Sequence, residues 1–135
     1  MKYRFLEHTA DVRAECEGAT FAQLLEAAAH ALYAAAFQRR DERATRRREI
    51  RIESGGAEET LVRWLQELIY LMEAEQFAAV RFSFAHAEEC RVEAVAEGCE
   101  YAAEDRADEI KAATYHGMTV RHDARGWHAE VLFDV

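Results

Sequence analysis

The stretch Asp123-Ala124-Arg125-Gly126-Trp127-His128-Ala129-Glu130-Val131-Leu132-Phe133-Asp134-Val135 decides the fold class. Trp127, Ala129, Val131 and Phe133 alternate with His128 and Glu130, the two-residue period of a strand with one buried face. Asp123-Ala124-Arg125-Gly126 is a hairpin turn. The segment upstream of it, Ile110 to His122, therefore holds one or two strands, with Met118 and Val120 on the inner face. A half-buried antiparallel sheet needs something to cover its apolar face. Two helical segments provide the cover.

The first runs over about 20–37. Thr20-Phe21-Ala22-Gln23 has the spacing of a capping box, in which the Thr side chain accepts from the backbone at Gln23 and the Gln reaches back. Phe21, Leu24, Leu25, Ala28, Leu32 and Ala35 then recur at spacings of three and four. The many alanines favour helix and allow close approach to a sheet. The second helix runs over about 57–76. Glu58 and Glu59 suit the dipole of its first turn, and Leu61, Leu65, Leu68, Ile69 and Met72 mark its buried stripe.

Alternation marks further strands at 2–7 (Tyr3, Phe5), from Val12 through Ala14 and Cys16 to Gly18, and at 48–54 (Ile50, Ile52). Two more contain Val80, Phe82, Phe84 and Val92, Ala94, Ala96, joined near His86–Glu89. A Glu- and Asp-rich loop follows at about 98–108. The order ββαβαββ then ββ predicts an α+β fold: a single two-layer domain over 1–135, two helices packed on one face of a mostly antiparallel sheet.

At 135 residues, with 50% hydrophobic and 32% charged, the chain can build a core without staples. No apolar run approaches the ~18 residues of a membrane span. The first residues carry Glu7 and His8 where a signal peptide needs an apolar segment, so a cytoplasmic location is expected. Cys16, Cys90 and Cys99 include no C-x-x-C pair and are expected as reduced, mostly packed thiols rather than zinc ligands. The formal net charge of −9 opposes independent, tight binding to a nucleic-acid backbone and suits a cation or a basic partner surface. Arg39 to Arg48, with six arginines and two acids, runs against that trend. It is expected to be a solvated connector, with a phosphate or RNA contact as the alternative.

Three polar clusters fall at strand ends: His8-Thr9-Ala10-Asp11, Lys111-Ala112-Ala113-Thr114-Tyr115-His116-Gly117, and Phe133-Asp134-Val135. Sites in sheet proteins are commonly assembled from such ends, where a rigid scaffold fixes short loops. Converged, they supply two Asp carboxylates, a terminal carboxylate at Val135, two imidazoles and an ammonium. Each residue has a plainer reading. Asp11 and Thr9 make an Asx-type turn, Lys111 is a solvated charge, and His8 is a hydrogen-bonded turn histidine. Tyr115 is a core aromatic with its hydroxyl at the rim, and His116 before Gly117 marks a bulge. His30, His86, His122 and His128 receive no role, and Trp64 and Trp127 are packing residues. No G-x-S-x-G, P-loop, dinucleotide fingerprint, H-E-x-x-H or EF-hand sequence is present.

Taken in order, the clusters resemble one family, archease. The match comprises His8-Thr9-Ala10-Asp11-Val12, Trp64-Leu65-Gln66-Glu67-Leu68-Ile69-Tyr70 followed by Glu73 and Glu75, Lys111-Ala112-Ala113-Thr114-Tyr115-His116, and Trp127 with Val131-Leu132-Phe133-Asp134-Val135. It departs at Arg13, where the family often has Gly. The resemblance implies an accessory protein without a catalytic residue of its own. Such proteins assist an RtcB-type tRNA-splicing ligase, promoting GTP-dependent guanylylation of the ligase histidine and repeated turnover, with tRNA contacted only indirectly. It implies a divalent cation, calcium in some members, held here by Asp11, Asp134 and Val135, with Mg²⁺ or Mn²⁺ as alternatives. Lys111 is then the functional lysine, grouped with His8 and His116 as partner-activating residues. Oxygen donors of this kind select hard cations. Two other functions remain open on sequence: a metal-dependent phosphoesterase or nuclease using Asp11, Asp134 and His116, and a passive, chaperone-like binding module.

Overall fold

The computed structural model describes residues 1–6 and 11–135. The chain runs β1 (Lys2–Leu6), β2 (Val12–Gly18), α1 (Phe21–Ala36), β3 (Arg46–Glu53), α2 (Ala57–Glu75), β4 (Phe77–Glu88), β5 (Arg91–Glu100), β6 (Ala112–Asp123) and β7 (Gly126–Asp134). The expected order of elements and the α+β class are both present. The described strands form two antiparallel sheets rather than one, ordered β1-β2-β7-β6 and β3-β5-β4.

α1 starts where Thr20 predicts. The Thr20 hydroxyl accepts from the Gln23 N–H at 3.1 Å. Gln23 reaches back one residue further than a standard capping box, accepting from the Ala19 N–H at 2.8 Å. The helix touches β1, β2 and β7 of one sheet and β4 of the other. Contact on both sides explains its alanines: Ala27, Ala28, Ala29 and Ala31 are all 0% exposed, and only small side chains let two sheets approach one helix so closely. α2 lies against β6 and against β3, β4 and β5. Trp64 of α2 is fully buried and its Nε1–H donates to the Leu25 carbonyl at 2.9 Å, joining the helices at the centre of the core. Tyr33 joins α1 to β4 by accepting from the Ala79 N–H at 3.2 Å.

The arginine-rich connector is largely occupied within the fold. Arg39 meets Asp105 at 3.6 Å, Arg43 meets Asp41 at 2.6 Å, Arg46 meets Glu100 at 3.9 Å and Arg48 meets Glu75 at 2.6 Å. Arg40 lies over the Tyr33 ring, 4.3 Å from its centroid, and donates to the Ala79 carbonyl. Five of the six guanidiniums are thus engaged by this fold's own acids or rings, which favours the connector reading over an RNA contact.

Candidate functional site at the strand ends

The register of the four-stranded sheet assembles the site. β2 pairs with β7 from Gly18↔Trp127 to Val12↔Phe133. Asp11 precedes Val12 and Asp134 follows Phe133, so the two acids are neighbours at the end of this pair. β6 adds the third strand there, with Ala112 opposite Asp134, and the Lys111 N–H donates to the Asp134 carbonyl at 2.8 Å. Asp11, Asp134, Val135 and Lys111 therefore lie at the same end of this sheet. Asp11 is half-buried, Lys111 and Asp134 are exposed, and Val135 is 40% exposed. His8 and Thr9 lie outside the described residues.

The strand phase sets which way these groups point. Val12, Ala14 and Cys16 face inward with Phe133, Val131 and Ala129, while Arg13, Glu15 and Glu17 alternate outward with Leu132, Glu130 and His128. The outer face is a lattice of charge. Glu15 stands directly opposite Glu130, an unfavourable pair taken alone. Arg4 binds Glu15 from one side, and Arg13 Nη1 lies 3.5 Å from Glu130 on the other. The Arg4 hydrogen bond holds the Glu15 carboxyl below its ordinary pKa. A groove of about 290 Å³ on this face is lined by Lys2, Arg4, Glu15, Glu17, Arg121 and His128 among others, and by none of Asp11, Asp134 or Lys111.

β6 breaks its ladder beside the site. Between the pairs Thr114↔Leu132 and Thr119↔Glu130, β6 has four residues, Tyr115 to Met118, where β7 has only Val131. Gly117 takes φ +74°, and the His116 N–H donates to the Thr114 hydroxyl at 3.1 Å. Met118 fills the inward position at 8% exposure, whereas Tyr115 is 54% exposed. The core position expected for Tyr115 is therefore wrong: the extra residues reset the alternation and turn its ring out. His116 does sit in a bulge, as expected, and is exposed. Sequence reasoning missed the part played by Arg13. Its guanidinium crosses toward Gly117, where a Cβ would come within 3.3 Å of Nη2. The hints in the sequence were Arg13 itself, where the family often has Gly, and the Gly117 that interrupts an otherwise strand-like run.

The donor chemistry fits a hard cation. Two neighbouring Asp residues and the chain following Asp134 offer only oxygen. Among the described residues no three His, Cys, Asp or Glu side chains come together in a metal-holding group. Water or a partner's atoms would therefore complete any shell held by Asp11, Asp134 and Val135.

Comparison with known proteins identifies the family. The sequence model of the archease protein family matches residues 3–135. The chain belongs to the archease family. Among curated archeases, that of Archaeoglobus fulgidus is 35% identical over 137 residues, covering 100% of both chains. That of Methanosarcina mazei is 33% identical over 140 residues, covering 99% of this chain and 96% of its own. Two solved structures share the fold. The crystal structure of the Thermotoga maritima archease, described as a possible chaperone, has a TM-score of 0.69 at 24% identity, covering 96% of this chain and 94% of that one. The solution structure of Methanobacterium thermoautotrophicum protein 1598 gives 0.74 at 23% identity, covering 98% of each. The archease fold is thus shared at full length. No described helix of this archease-family chain is long and apolar enough to cross a membrane.

Proposed function

We infer that the protein is an accessory factor of an RtcB-type RNA-splicing ligase. In this reading it promotes guanylylation of the ligase histidine and multiple turnover in tRNA splicing, and contributes no catalytic residue of its own. Asp11, Asp134 and Val135 are its cation ligands. Lys111, with His8 and His116, contacts the activated partner. The observation that carries the reading is the β2–β7 register, which makes neighbours of two acids from opposite ends of the sequence, with the backbone of Lys111 paired to the backbone of Asp134 at the same sheet end.

A divalent cation bound there would supply a Lewis-acidic centre for phosphate oxygens. The chain's own residues do the rest. The two strands fix the carboxylates, and the hydrogen bond from Lys111 ties β6 to the last residue of β7. An oxygen set left incomplete by the protein suits a role that another protein's active centre finishes. The surplus of acid in the chain, net −9, suits a partner whose pocket is basic. The cytoplasm is the location that goes with this role.

The test is a ligase guanylylation assay with and without the protein, across Ca²⁺, Mg²⁺ and Mn²⁺. Asp11→Ala and Asp134→Ala, each confirmed folded, are expected to lose stimulation by about tenfold or more, as removal of metal-site groups generally does. Deletion of Val135 should weaken it too. Full stimulation by both Asp variants, unaffected by chelator, would sink the cation role and leave a passive binding module. RNA cleavage by the purified protein alone would favour a nuclease instead.

A further inference from the structure

We propose that Arg13 is a positioning residue that clamps the β6 bulge. The bulge, with Tyr115 and His116 at its tip, then forms the second half of the partner-contact surface that begins at the acid pair. The contact role rests on the accessory-factor reading above; the clamp does not.

Several independent features meet at Arg13. It sits on β2 in register with Leu132 of β7, and Leu132 is in register with Thr114 of β6. Its guanidinium nevertheless lies beside Gly117 on β6. The side chain therefore spans two strand spacings, roughly 10 Å, and crosses β7, whose outward-facing residue in register with Arg13 is Leu132. An outward leucine only 3% exposed is otherwise unexpected on this charged face, and the arginine stem helps account for it.

The far end is anchored lightly. Nη1 is 3.5 Å from Glu130, and Nε is buried with no hydrogen-bond partner among the described residues. A buried donor without a partner costs free energy, so the arm is not held by its hydrogen bonds alone. Its other anchor is the open space at Gly117, where a Cβ would come within 3.3 Å of Nη2 and 4.0 Å of Cζ. Gly117 also adopts φ +74°, a region other residues avoid. Arginine and glycine therefore fit as a pair, one supplying the lid and the other the room for it.

The bulge beneath is unusual in length, four residues against one. Bulges of this kind re-aim side chains beside functional sites. Here the effect is to leave Tyr115 54% exposed, three residues along β6 from Ala112, which pairs with Asp134. An exposed tyrosine on a fixed backbone presents a large contact area with little entropy to lose on binding. An unclamped bulge would have to be ordered when the partner arrives, and affinity would fall by that cost.

The test is amide hydrogen exchange on the full chain, read at Tyr115–Met118 and along β2 and β7, in wild type, Arg13→Gly, Arg13→Lys and Gly117→Ala. It is run beside a titration of ligase stimulation with the same proteins. Arg13→Gly is expected to raise exchange in the bulge about tenfold while β2 and β7 stay protected. It should also shift the half-saturating concentration upward several-fold, with the plateau of stimulation unchanged. Arg13→Lys keeps the stem over Leu132 and should recover part of both effects. Gly117→Ala attacks the same contact from the other side but also strains the backbone at φ +74°, so the double variant should show less than the sum of the two single effects on bulge exchange. Unchanged bulge exchange in Arg13→Gly, or a rise spread over the whole sheet, overturns the clamp. A lowered plateau at unchanged half-saturation overturns the contact role. If the wild-type protein fails to stimulate the ligase at all, the accessory reading fails, and the exchange arm still decides whether Arg13 holds the bulge.

Discussion

Gly98 shows how tightly single residues are constrained here. It lies on β5 opposite Ala79, and a Cβ built there would come within 2.0 Å of the Ala78 carbonyl oxygen and 2.7 Å of the Ala79 Cα. Both obstacles are backbone, so the strand itself must move. Gly98→Ala should cost about 2 kcal/mol or more in urea denaturation. Trp64→Phe should cost about 1–3 kcal/mol by the same measurement, because it removes the indole donor to the Leu25 carbonyl and leaves a void. The cysteines offer a check on burial. Cys90 is exposed, while Cys16 and Cys99 are buried. Burial pushes the Cys16 thiol up to about 12 and raises that of Cys99. In the native protein one thiol should therefore react quickly with a maleimide, with the other two labelling only on unfolding. Three fast thiols would contradict this packing.

At the scale of elements, period and capping were legible in the sequence and their partners were not. Thr20 both predicts and starts α1, and Thr20→Ala should cost about 1 kcal/mol, measurable by chemical denaturation. The β6–β7 hairpin lies where Asp123–Gly126 places it, because a short turn fixes its own register, whereas the β4–β5 junction expected near His86–Glu89 falls at Glu89–Cys90, with His86 to Glu88 still inside β4. Tyr115 escaped prediction because one inserted run flips every following side chain, and nothing local records how many residues a bulge absorbs. The outer ladders carry a pH dependence of definite sign. Glu15 and Glu97 are held below their ordinary 4.5 mainly by hydrogen bonds from Arg4 and Arg81. Asp41 is held below 3.8 by Arg43, and Asp123 below 3.8 by the Arg125 N–H. The folded protein thus releases these protons more readily than the unfolded chain. The resulting stability is present above about pH 4.5 and falls as pH drops through the lower folded values. Because these groups are exposed, the acid loss should be small and should shrink in high salt. Denaturation midpoints at pH 7, 4 and 3, in low and high salt, would show it.

At the scale of the molecule, the site exists only because three strands end together. Asp11 and Asp134 are separated by nearly the full chain, and Lys111 enters through a strand that follows the acidic loop. Non-local pairing of this kind is the last thing a sequence reveals, since local propensity carries no information about which strands become neighbours. The division of the expected sheet into β1-β2-β7-β6 and β3-β5-β4 belongs to the same class. Each helix faces both sheets, and the choice between one sheet and two is made by that packing. Disrupting the shared end should separate function from fold. Asp134→Ala removes a carboxylate from an exposed position and should leave the thermal midpoint nearly unchanged while ligase stimulation falls.

The sequence by itself determined the two helices, the strand-forming segments, their order and the polar residues at the strand ends, because each follows from local periodicity, capping and turn chemistry. Only the tertiary structure decided that Asp11 and Asp134 are neighbours, that Tyr115 faces solvent, that the arginine connector is internally paired, and that Arg13 reaches Gly117. All four depend on strand register and on side chains crossing between strands, which only the assembled sheets specify.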